Sequence, residues 1–102
     1  MIPESPDDCT TMADVRAGVD ATDAALVALL ERRFGYMRAA ARIKPSREAV
    51  RDEARKAEVI VNVRRLAARA GLPETALAEM WDCLVEASID YEAAHWDELR
   101  KP

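Results

Sequence analysis

Glycine, aromatic residues and histidine are scarce in this sequence, and each scarcity removes a class of protein. Only 3 glycines stand among 102 residues, so no glycine-rich loop exists to cradle a phosphate. Phe, Trp and Tyr together make up 5%. The single histidine, His95, lies near the C-terminal end. A lone imidazole there reads as a structural or solvated group, and it is assigned no role. The two cysteines, Cys9 and Cys83, have neither CxxC nor metal-ligand spacing. No metal site, no Ser-His-Asp or Cys-His set and no cofactor is expected. Both cysteines are read as free thiols in a reducing cytoplasm rather than as a disulfide. No apolar run approaches the length of a bilayer span. The opening MIPESPDDCTT is acidic and lacks the apolar core of a signal peptide. A cytoplasmic protein with no membrane partner is the expectation. The net charge of -4 argues against nucleic acid, whose phosphates require a basic surface.

What is abundant is helix-forming. Hydrophobic residues are 50% of the chain and charged residues 33%, with Ala, Leu, Glu and Arg prominent. The length suits a single domain, residues 1–102, whose modest core favours burying more surface in an oligomer. A first helix is predicted from near Met12, capped by Thr10 or Thr11, to about Ile43, where Pro45 disfavours further helix. Its apolar residues Val15, Val19, Leu26, Leu29, Leu30, Met37 and Ala41 recur at three- and four-residue steps. About 30 helical residues span ~45 Å, too long for a compact monomer of this size. KPSREAVR is a loop. A second helix starts near Asp52 and stops at Gly71, a left-handed cap. A third begins with Pro73 in its first turn and carries Leu77, Met80, Trp81, Leu84, Ile89 and Trp96. The fold class is all-α: a three-helix chain with a long first helix, forming an intertwined helical-bundle dimer.

With the common catalytic sets missing, the cations stand out. The stretch ARIKPSREAVRDEARKAEVI is crowded with Arg and Lys in an acidic chain. Arg33 and Lys44 are eleven residues apart, about three helical turns, so both lie on one stripe if the helix persists. Arg55 follows across a short loop, and the three can converge on one anion, for which the arginine fork is well suited. The plain alternative is a solvated face on which these cations pair with Asp52, Glu53 and Glu58. Arg16 precedes Arg33 by seventeen residues, ~25 Å along one helix. The two grip one small molecule only if two first helices pack antiparallel in a dimer.

DVRAGVDATDAALVALLERR resembles the opening helix of the all-helical chorismate mutases, VRDEARKAEVI their second motif, and GLPETALAEMWDCLVEASIDYE their third helix. The resemblance covers about residues 8–97. The ends DDCTTMADVR and HWDELR also resemble the isochorismate pyruvate lyase branch. The resemblance implies a homodimer with two identical sites for a small dicarboxylate, chorismate or isochorismate. It implies that Arg16 is supplied in trans, that Arg33 and Arg55 hold the two carboxylates, and that Lys44 contacts a carboxylate and the ether oxygen. It places Asp52 and Ser88 near the substrate ring, and Glu92 where most bacterial members carry a Gln that donates to the ether oxygen. Lys56 departs from the pattern, because many mutases have there a Glu that accepts from the ring hydroxyl. Lys56 leans toward the lyase branch and Ser88 toward the mutases.

The expected activity is the rearrangement of chorismate to prephenate, with Lys44, Glu92 and Arg33 as catalytic residues. That reaction breaks a C–O bond and forms a C–C bond in one concerted step, so it needs no nucleophile, base or metal. Holding the compact conformer and placing cations where charge grows on the ether oxygen suffice. The alternatives are isochorismate pyruvate lyase, giving salicylate and pyruvate, and a catalytically idle dimeric helical module that regulates a partner enzyme.

Overall fold

A computed structural model describes residues 5–102. The described residues form three α-helices, α1 (Met12–Ile43), α2 (Glu53–Arg69) and α3 (Glu74–Leu99), with short 3-10 turns at Pro6–Asp8 and Arg47–Ala49 and no strand. The architecture is all-α, as the periodicity predicts. No helix among the described residues is long and apolar enough to cross a membrane. Both cysteines are free thiols, Cys9 half-buried and Cys83 exposed.

The chain divides into two units, one ending at Gly35 and the other comprising Tyr36–Pro102. The first holds most of α1. Of the two candidate caps, Thr11 takes the role. The Asp14 N–H donates to Thr11 Oγ1 at 3.1 Å, and the Asp14 carboxylate accepts from the Thr11 N–H at 3.3 Å. This reciprocal pair satisfies two of the donors that every helix start leaves open. The Thr10 N–H also donates to Asp14, at 3.1 Å. These bonds, led by the Thr10 backbone, hold the Asp14 carboxyl below its ordinary pKa. The apolar stripe of this unit is uncovered: Val19, Leu26, Val27 and Leu29 are each more than half exposed. A helix that exposes such a stripe gains little from propensity alone and depends on packing for its stability.

The second unit contains every buried residue among those described. Its core is built from small side chains, Ala41, Val50, Val63, Ala67, Ala78 and Val85. Asp52 caps α2, accepting the Arg55 N–H at 3.0 Å. The other end of α2 closes with Leu72 N–H donating to Ala67 O at 2.9 Å and Gly71 N–H to Ala68 O at 3.2 Å. This double bond pattern requires a left-handed residue, and Gly71 has φ of +71°. Pro73 falls at the N-cap of α3, one position before the first turn. Its ring fixes φ at -67° but ψ stays extended at 101°, so the helix begins at Glu74.

α2 and α3 run antiparallel, since Arg51 pairs with Glu86 while the later Lys56 also reaches the earlier Asp82. Arg51 forks onto both Glu86 oxygens at 3.1 and 2.8 Å, and Lys56 Nζ lies 2.9 Å from Glu86 and 3.0 Å from Asp82. The Arg51 hydrogen bonds, then that of Lys56, pull the Glu86 pKa from 4.5 down to about 2. A depressed carboxyl pKa adds stability that is complete above the unfolded value and is lost as pH falls through the folded one. Glu86→Gln is therefore expected to lower the melting temperature at neutral pH. The gap to wild type should narrow below pH 4.5 and close near pH 2, the window set by that shift. A gap that stays constant across the window excludes Glu86 as the source.

Candidate active site

Lys44 is the first residue beyond α1, and its backbone N–H still bonds Ala40 O at 2.9 Å. Its side chain turns toward α3. Lys44 Nζ lies 2.6 Å from Glu92 Oε2 and donates to Val50 O at 3.2 Å. An ammonium has three donors, so these two bonds leave one for a ligand. The Glu92 side chain is 5% exposed and that of Lys44 28%. The short separation fits a charge-assisted bond, in a setting where water screens little. Ser88 sits one turn before Glu92 on the same face of α3. Its hydroxyl donates to Leu84 O at 2.7 Å, and Ser88 and Glu92 are the two buried polar residues among those described.

The Lys44 backbone is held from behind. Trp96 Nε1 donates to Lys44 O at 3.1 Å. Arg100 donates to Lys44 O at 3.2 Å and to Ala41 O at 3.1 Å, and stacks 4.1 Å from the centroid of the Trp96 ring. Arg47, in the same loop, donates through Nε to both Asp97 oxygens at 3.0 and 3.1 Å.

Of the residues singled out in the sequence, Lys44 and Glu92 meet directly, and Ser88 shares the α3 face of Glu92. Asp52 and Arg55 adjoin at the start of α2, both exposed. Arg55 lies 3.7 Å from Glu58, the ordinary surface pairing weighed against an anion site. Arg16 is exposed and Arg33 half-buried, both on the part of α1 in the first unit. Lys56, the departure from the family pattern, is held by Asp82 and Glu86 of α3. The sequence reading missed Trp96 and Arg100 as neighbours of Lys44. Their four-residue spacing in HWDELR marks them as a pair on one helix face, but nothing local ties them to a lysine 52 and 56 residues away.

The chorismate mutase type II family profile matches residues 15–93. The chain belongs to the chorismate mutase type II family. It is also 30% identical to the isochorismate pyruvate lyase of Pseudomonas aeruginosa over 97 residues, spanning 95% of this chain and 96% of that protein. The family match includes Arg16, Arg33, Lys44, Asp52, Arg55, Ser88 and Glu92, while Trp96 and Arg100 lie beyond it.

Proposed function

We propose that this chain is a chorismate mutase, converting chorismate to prephenate by conformational and electrostatic catalysis within a homodimer. The observation that carries the reading is the Lys44–Glu92 pair, a cation and an acid at 2.6 Å on the sheltered side of α3, in a chain whose family match spans 15–93. Arg33 and Arg55 take the two substrate carboxylates, with Arg16 reaching in from the second chain. Lys44 faces the ether oxygen, where negative charge grows as the C–O bond breaks. A cation already fixed there stabilises the transition state without reorganising. Asp52 and Ser88 line the ring side, and Glu92 stands beside Lys44 at the ether oxygen, the position that the family resemblance gives it. The whole chain then acts as one domain, with the open stripe of α1 covered by a second copy. No cofactor or metal enters the step, and neither nucleic acid nor membrane is a partner.

A second reading is favoured by two observations. Similarity to the lyase extends over 95% of the chain, and Lys56 is engaged by Asp82 and Glu86 rather than offering an acceptor to a ring hydroxyl. The lyase reaction also breaks the ether C–O bond concertedly and uses the same cage. Product identification with each substrate separates the two. Prephenate from chorismate supports the mutase, and salicylate with pyruvate from isochorismate supports the lyase. No turnover of either, with a partner enzyme whose rate the protein alters, supports the idle module.

The dimer is tested separately. Light scattering at micromolar concentration is expected to give twice the 11.3 kDa chain mass. A folded monomer at that concentration would refute both the dimer and the shared site.

A further inference from the structure

α3 does more than carry Glu92. Its last two turns present Glu92, Trp96 and Asp97 toward the segment after α1, and Arg100 follows directly as the C-cap. The final carbonyls of any α-helix lack intrahelical partners. Here Ala41 O and Lys44 O receive the Arg100 guanidinium, and Lys44 O also receives the Trp96 indole N–H. Two donors on one carbonyl fix the peptide plane of Lys44, and therefore the direction in which its side chain leaves the backbone. The guanidinium is itself held flat by the Trp96 ring, an arrangement available to arginine and not to lysine. Its charge also suits the negative end of the α1 dipole. Arg47 with Asp97 adds a third tie, but both side chains are about half exposed and screening leaves it weak.

We propose that Trp96 and Arg100 are positioning residues for Lys44, fixing its backbone so that its ammonium meets Glu92 and the reacting oxygen in one geometry. The catalytic half of this statement rests on the mutase or lyase reading above. The positional half does not. Misplacing a group by about 1 Å can cost up to ~100-fold in rate. Because the lysine contact matters most in the transition state, the loss should appear in kcat and kcat/KM alike, with KM nearly unchanged.

The test uses the full chain with Trp96→Phe, which keeps an aromatic ring and removes the donor, and Arg100→Lys, which keeps the charge and removes the fork and the stack. Lys44, Lys56 and Lys101 are the chain's lysines, so ¹⁵N-lysine labelling gives three ammonium signals in wild type and Trp96→Phe and a fourth in Arg100→Lys, with Lys44 and Lys56 assigned by Lys44→Arg and Lys56→Arg. The expected result is a shifted or broadened Lys44 signal in both variants, an unchanged Lys56 signal, and kcat lower by about tenfold, within the range for misplacement. A Lys44 signal identical to wild type in both variants overturns the proposal. So does parallel movement of Lys44 and Lys56 with a fall in melting temperature, which is general loosening. If wild type turns over neither substrate but the Lys44 signal alone responds, the functional reading fails and the positioning stands.

Discussion

Arg16→Ala and Arg33→Ala are each expected to lower turnover by about a hundredfold to a thousandfold, the cost of removing a charge-assisted clamp from a developing or resident anion. Mixed with full subunit exchange, the two inactive variants are expected to regain about a quarter of wild-type activity. Half of the dimers are then mixed, and in the proposed shared site each mixed dimer carries one site with both arginines intact and one with neither. The recovery follows from position on α1 in the sequence, where seventeen residues separate the two side chains. Subunit exchange verified by mass, with no return of activity, would show that the two arginines do not share a site across chains.

Lys44→Ala is expected to lower kcat by a similar factor, about a hundredfold to a thousandfold, since in the proposed site the cation faces the oxygen where charge develops. It also leaves the buried Glu92 without its partner, which costs about 2 kcal/mol of stability. That is less than for a fully buried pair, because Lys44 keeps 28% of its side chain exposed. Lys44→Ala/Glu92→Gln separates the two effects. The amide carries no charge to strand, so the melting temperature recovers while turnover does not. Glu92→Gln alone probes the other partner. A carboxylic acid donates to the ether oxygen only while protonated, whereas an amide donates at every working pH. Glu92→Gln is therefore expected to keep the mutase reaction at or above the wild-type kcat/KM. A fall in kcat/KM, with the variant folded and dimeric, would leave Glu92 as no more than the structural counter-ion of Lys44.

The helix framework was legible because its signals are local. The apolar periodicity and Pro45 bracket α1, Asp52 opens α2, and Gly71 closes it through a positive φ that other residues rarely adopt. The family likeness singled out Glu92 and Lys44 together, and the structure pairs the two. Long-range charge pairing was not legible. Lys56 reads as a lost acceptor when seen beside Arg55 alone, yet its partners Asp82 and Glu86 lie on another helix. No helical or strand period links positions so far apart. The exposure of Leu26 and Leu29 is equally invisible to periodicity, which marks an apolar face without stating what covers it.

The confinement of every buried residue among those described to Ala41 and beyond has a kinetic consequence. The α2–α3 hairpin, closed by a short turn at Gly71, gathers its core from contacts close in sequence, and such contacts form fast. The stripe on the earlier part of α1 is exposed, and in the dimer proposed above its ordering waits for a second molecule. Folding then separates into a rapid event independent of protein concentration and a slower one whose rate rises in proportion to it. Stopped-flow refolding over a range of concentrations would reveal both, and a single phase insensitive to concentration would contradict this order of assembly.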